Sequence, residues 1–184
     1  MSQKIFSITV EMDLIVKPDW LEGFRKKYDY PYKYHLSLKT KSYLNESKLD
    51  EIKEKLFDLA EESKVMRVVF DKVSVALSSK GWCIMLNAEE NEQLKNFQKY
   101  ISEEFAKYGA NVSSQQAEYE KDFHPHITIA RYLDEEICKK AESEVGVDIH
   151  CEGVIKDLVI AVVDKDLSEK WSDEKNRTVF KLKQ

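Results

Sequence analysis

Two stretches of this 184-residue chain decide how it is read: Tyr34-His35-Leu36-Ser37-Leu38-Lys39 and Pro125-His126-Ile127-Thr128-Ile129-Ala130. Each contains histidine, aliphatic, hydroxyl, aliphatic. On an extended strand successive side chains point to opposite faces, so His35 and Ser37 share one face and Leu36 and Leu38 the other. His126 and Thr128 are related to Ile127 and Ile129 in the same way. A core takes the aliphatic face, which leaves each imidazole and its hydroxyl toward a cleft or solvent. Brought together, two such strands supply two imidazoles and two hydroxyls around one site. Breaking a phosphodiester needs such a set: a base for the attacking oxygen, an acid for the leaving oxygen and donors for the nonbridging oxygens. Histidine titrates near neutrality and can take either proton role, while serine and threonine hydroxyls donate without ionisation or a metal. One such tripeptide is commonplace in strands. The second copy gives the pattern its weight.

Around these strands the hydrophobic periodicity predicts two long helices. One begins at Ser47, read as an N-cap with Asp50 three residues on, and runs to about Glu62 with Leu49, Ile52, Leu56 and Leu59 inward. The other spans about Glu89 to Lys107, with Leu94, Phe97, Ile101 and Phe105 inward and Gly109 as a left-handed C-cap. Shorter helices are predicted at Trp20 to Lys27 and Glu135 to Glu144. Strands are predicted at Lys4 to Val10, Tyr34 to Thr40, Val65 to Leu77, Trp82 to Asn87, His126 to Arg131, Asp157 to Val163 and Thr178 to Leu182. The tract Ser78-Ser79-Lys80-Gly81 is a hairpin signal. The fold class is α+β, one unit over residues 1–184, and the charged segment Asp164 to Arg177 with its lone Trp171 reads as an exposed loop.

Composition excludes other classes. With 42% hydrophobic and 34% charged residues and eight Gly plus Pro, the chain is neither collagen-like nor disordered. Its longest aliphatic run, Leu158 to Val163, is far short of a membrane span, and Glu11 and Asp13 break the apolar N-terminus, so neither a transmembrane helix nor a signal peptide is expected. Three cysteines without C-x-x-C spacing fit a reducing compartment, and a cytoplasmic monomer is the expectation. A net charge of −5 leaves no general attraction for polyanions, so any phosphate is recognised locally.

The paired motifs resemble those of the two-histidine phosphoesterases, which include RNA 2',5'-ligase-like proteins and cyclic nucleotide phosphodiesterases. That family carries two H-Φ-[ST]-Φ motifs, Φ being hydrophobic. Here the copies lie 126 − 35 = 91 residues apart, and the stretch Phe123 to Arg131 matches the fuller second motif. Lys39 matches a common family residue, whereas Ser37 stands where threonine is commoner and the glycine that often follows the first motif is absent. The resemblance implies a bilobal fold, two antiparallel sheets related by a pseudo-twofold around a central cleft with helices outside. It implies His35 and His126 as catalytic residues, with Ser37, Thr128 and Lys39 at the phosphate. It further implies a nucleotide or RNA terminus as substrate, cut at a 2',3'-cyclic phosphate or a 2',5' linkage, with no cofactor and no metal.

Two other readings compete. His124-x-His126 has metal-ligand spacing, which makes a metallohydrolase a rival, although His35 and His150 are the only other histidines. A noncatalytic RNA-end or nucleotide binder is the other, yet binding alone does not require two imidazoles. His124 reads as a neighbour at the cleft mouth and His150 as structural. Arg131 falls out of phase with His126 and Thr128, and points away from the cleft unless the strand bulges there. Tyr32, Tyr34, Tyr43, Phe123 and Tyr132 are candidates for stacking a nucleobase.

Overall fold

The structure is a computed structural model, and it describes residues 3–78 and 80–184. Seven strands are laid down in chain order: β1 (Lys4–Val16), β2 (His35–Tyr43), β3 (Met66–Ser78), β4 (Gly81–Ala88), β5 (His126–Leu133), β6 (Cys151–Asp164) and β7 (Arg177–Lys181). Helices α1 (Trp20–Lys27), α2 (Leu49–Glu62), α3 (Glu92–Ala106), α4 (Ser114–Lys121) and α5 (Glu135–Glu144) are placed between them. Every strand pairing is antiparallel, which accords with the α+β expectation. Hydrogen bonding runs in one path, β2-β1-β6-β3-β4-β5, rather than in two separate sheets. The long strand β6 makes this possible: Cys151 to Ile155 pair with β3 and Asp157 to Ala161 pair with β7, while β1 runs along nearly its whole length. Although β2 and β5 end the path, they come into contact with each other.

The aliphatic faces predicted to be inward are inward. Leu36, Leu38, Ile127 and Ile129 are all fully buried, within a core that also takes Ile52 and Leu56 from α2 and Leu94, Ile101 and Phe105 from α3. Each such side chain contributes roughly 1.5–3 kcal/mol by leaving water. A slip of one residue in either histidine strand exchanges its faces, so this burial also fixes which way the imidazoles point.

Several local expectations resolve differently. A 3-10 turn capped by Asn45 precedes α2, and Ser47 lies inside that turn rather than capping the helix. Asn91 caps α3 through the Leu94 amide. Gly109 is not left-handed; a Cβ there would lie 1.5 Å from the Tyr43 carbonyl oxygen, so glycine is required by close approach of two backbones. Gly81, with φ of 132°, closes the β3–β4 hairpin opposite Ser78, and Ser79 of that tract lies outside the described residues. Helix α4 has no predicted counterpart: its sequence SQQAEYEK carries no apolar stripe and is signalled only by its Ser113 cap.

Candidate active site

Both histidine strands contain a β-bulge, at the same place in each motif. On β2, Ser37 pairs with Thr9 and Lys39 with Ile8, so Leu38 is the extra residue. On β5, Thr128 pairs with Met85 and Ala130 with Ile84, so Ile129 is the extra residue. Each bulge flips the alternation beyond it. Lys39 and Ala130, fourth after their histidines, go into the interior at 1% and 0% exposure, while Thr40 and Arg131, fifth after them, come to the cavity side. Arg131 therefore reaches the site through the bulge that strand phase alone leaves out. Directly after it Tyr132 adopts a left-handed backbone, with φ of 60°, strain of the kind that gathers at functional sites.

The resulting cavity holds about 280 Å³ and is lined by His35, Ser37 and Thr128 together with Arg131, Tyr30 and Trp171, among others. His126 precedes Thr128 by two residues on the same strand face, with its ring 5.6 Å from that of Tyr119, and it is not itself among the residues lining the cavity. The two imidazoles are held in the same way. His35 Nδ1 lies 2.9 Å from the Lys33 carbonyl, and His126 Nδ1 lies 2.9 Å from the His124 carbonyl. A carbonyl only accepts, so each Nδ1 carries the hydrogen and each Nε2 is the atom left for proton exchange. Burial lowers the pKa of both imidazoles, opposed in each by the backbone hydrogen bond; for His35 the Glu11 charge also opposes it, while Arg131 and His126 reinforce it. Tyr30 lies almost fully buried beneath the cavity, its phenol pushed up to about 12 by that burial.

Lys39 does not line this cavity. Its ammonium is 3.2 Å from the Glu120 carboxylate in the interior, and Glu120 is further held by Thr40, Ser102 and Asn111. Burial pushes the Glu120 carboxyl up, but those hydrogen bonds and the Lys39 charge together hold it below the usual range. Lys39 and Glu120 thus tie β2 to α4 behind the site. His124 is exposed and lies 3.2 Å from Asp122, and among the described residues no three His, Cys, Asp or Glu side chains gather as metal ligands. His150 is exposed beside Glu152.

The segment read as an exposed loop carries a site residue. Lys165–Ser172 is 3-10 helical, and its Trp171 stacks on Tyr32 with ring centroids 5.5 Å apart and lies over His35 at 4.8 Å. Arg131 lies over the opposite partner of this stack, 4.3 Å from the Tyr32 centroid, and 4.6 Å from that of Tyr132. The one signal in the sequence was a large aromatic standing alone among charges. Larger hollows of about 770 and 640 Å³ flank the site, the first lined by His124 and Phe123 and the second by Glu11 and Lys33.

Residues 18–167 match the sequence profile of the 2'-5' RNA ligase superfamily. The chain belongs to that superfamily, the two-histidine phosphoesterases. Among solved structures, E. coli LigT in complex with 3'-AMP is similar over 99% of this chain and 95% of its own, with a TM-score of 0.56 and 15% identity. Usb1 of Kluyveromyces marxianus is similar over 98% of both chains, with a TM-score of 0.50 and 14% identity. At these identities the likeness is one of fold. No curated protein sequence matches the chain. Membership brings a phosphoesterase scaffold and its two motifs, and none of the helices in the described residues is long and apolar enough to cross a membrane.

Proposed function

We propose that this phosphoesterase-superfamily member is a phosphodiesterase acting on nucleotide or RNA-end phosphodiesters, at a 2',3'-cyclic phosphate or a 2',5' linkage, by paired-histidine acid–base catalysis. The observation that carries this reading is the matched tethering of His35 and His126 through Nδ1, with Ser37 and Thr128 on the same strand faces. In hydrolysis one neutral Nε2 takes the proton of the attacking water as the phosphorus–oxygen bond forms. The other, protonated, gives its proton to the departing ribose oxygen as that bond breaks. Ser37 and Thr128 donate to the nonbridging oxygens. Trp171 offers its face to the base. The 3'-AMP bound by LigT supports a nucleotide ligand for this scaffold.

The test is turnover of a nucleoside 2',3'-cyclic phosphate and of a 2',5'-linked dinucleotide, with and without chelator. Hydrolysis of either one, retained under chelation, is the expected result. Tight binding without turnover would make the protein a binder, and turnover only with added metal would make it a metallohydrolase.

A further inference from the structure

Beyond the imidazoles and hydroxyls, the cavity has a second, cationic end. Lys41 and Arg131 both line it, and Lys80, from the β3–β4 hairpin, meets it through Glu169 and the Tyr132 ring. One carboxylate pairs with two of the three. Glu169, from the 3-10 segment, contacts Lys80 through Oε1 and approaches Arg131 through Oε2 at 3.8 Å. That distance exceeds a direct hydrogen bond, so the Arg131 guanidinium keeps donors uncommitted while Tyr32 and Tyr132 hold its plane. Lys41 forms no ion pair with any described residue. Partial burial lowers its pKa, opposed by Glu169 and reinforced by Lys80 and Arg131. Three cations against one half-exposed carboxylate leave an excess of positive charge in a protein whose net charge is −5. Along β2 Lys41 lies four residues beyond Ser37, past the bulge at Leu38, and it lines the cavity beyond the first motif. This end of the cavity is thus separate from the phosphorus that the histidines address.

We infer that Lys41, Lys80 and Arg131 form a second phosphate subsite, which takes a nucleotide carrying a 5'-phosphate on the nucleoside whose 2' or 3' oxygen is bonded to the reacting phosphorus. The inference rests on reading the cavity as a nucleotide site. Glu169 holds the cluster in the absence of substrate, and a phosphate, with more acceptor oxygens and more charge, replaces it. The 5'-phosphate is either a free monoester or the next linkage of an RNA chain.

Calorimetry on the intact protein with adenosine 3'-monophosphate and adenosine 3',5'-bisphosphate tests this without catalysis. The bisphosphate is expected to bind roughly 10-fold tighter or more, as a charge-assisted hydrogen-bonded phosphate warrants. Lys41→Met and Lys80→Met should each narrow that ratio, and Glu169→Gln should widen it. Adenylyl-(3',5')-adenosine 3'-phosphate identifies the source: a preference matching the bisphosphate's points to an RNA linkage, a weaker one to a free monoester. Equal affinities for mono- and bisphosphate, or a preference that survives both lysine variants, would overturn the subsite. A bisphosphate preference in a protein that hydrolyses no cyclic phosphate would retain the subsite and reject the catalytic reading.

Discussion

His35 and His126 are tethered alike: each gives its Nδ1 hydrogen to the carbonyl two residues before it, and each precedes a hydroxyl by two residues and a bulge by three. The proton roles then divide by where the substrate lies. His35→Ala and His126→Ala are each expected to lower kcat/KM by about 10² or more, the usual contribution of a proton-transfer partner. A strongly activated leaving group makes the acid dispensable, so it should rescue one of the two variants and not the other. Full activity in either variant on an ordinary substrate, or equal rescue of both, would show that the histidines do not divide the work. Replacing Ser37 or Thr128 with an apolar isostere is milder, since one phosphate hydrogen bond is lost while the other donors remain.

The pH profile of kcat/KM is expected to be bell-shaped, because one imidazole must be neutral and the other charged. Burial lowers both pKa values in the free protein, so the acid limb should fall below the ordinary 6.5 of histidine. The apparent values belong to the coupled pair. Stability follows the same sign. With folded pKa values lowered, the unfolded chain binds more protons on the acid side. Stability is therefore full above about pH 6.5, is lost as pH falls through that value, and levels off below the folded pKa. Urea midpoints measured from pH 7.5 to 5.5 should decline in the native protein and less so in the His35→Ala, His126→Ala double variant. A rate that rises monotonically with pH would contradict the profile.

Lys39 and Glu120 make a different prediction, one of stability. Both are buried, at 1% and 6% side-chain exposure, so removing one leaves the other uncompensated. Glu120→Ala is expected to cost about 3–5 kcal/mol, read as a fall in urea midpoint. A Lys39→Met, Glu120→Leu double variant should recover only the part due to the unpaired Lys39, because the Thr40, Ser102 and Asn111 donors still lack their acceptor. Were Lys39 a direct phosphate ligand, Lys39→Met would raise KM in the folded fraction, and that result would reverse its placement.

Much of this was legible in the chain because strand alternation is strict: placing Leu36, Leu38, Ile127 and Ile129 inward oriented His35, Ser37, His126 and Thr128 without further information. What escaped did so for identifiable reasons. A bulge has no sequence signature of its own at Leu38 or Ile129, yet it exchanges the sides of Lys39 and Thr40 and brings Arg131 inward. Helix α4 carries only Ala117 and Tyr119 as apolar residues, so periodicity is silent about it, though it supplies Glu120. Trp171 lies 136 residues from His35 (171 − 35), and no local pattern reports a contact across that distance.

His124-x-His126 spacing predicts the behaviour under chelation. Nδ1 of His126 is committed to a carbonyl, His124 is 76% exposed, and no third ligand joins them among the described residues. Activity in excess EDTA is therefore expected to match the untreated rate. Loss with recovery on zinc or manganese would instead make these two histidines ligands.

Trp171 touches both the Tyr32 ring and the His35 imidazole, so it can serve the substrate base, the catalytic ring, or both. The two roles separate kinetically. If its face stacks the base, Trp171→Ala should raise KM by about 10-fold or more with kcat little changed, given that an aromatic–base stack contributes roughly 1–3 kcal/mol. Trp171→Phe should restore most of that, because a phenyl ring still offers a face. If the indole chiefly steadies His35, Trp171→Ala should lower kcat instead and shift the pH profile, since removing it exposes the imidazole to water and relieves the burial that lowers its pKa. Tryptophan fluorescence gives a second reading: the chain has Trp20 and Trp82 besides, neither of which lines the cavity, so quenching by bound nucleotide should vanish in Trp171→Phe. Unchanged KM, kcat and quenching in these variants would remove Trp171 from the site.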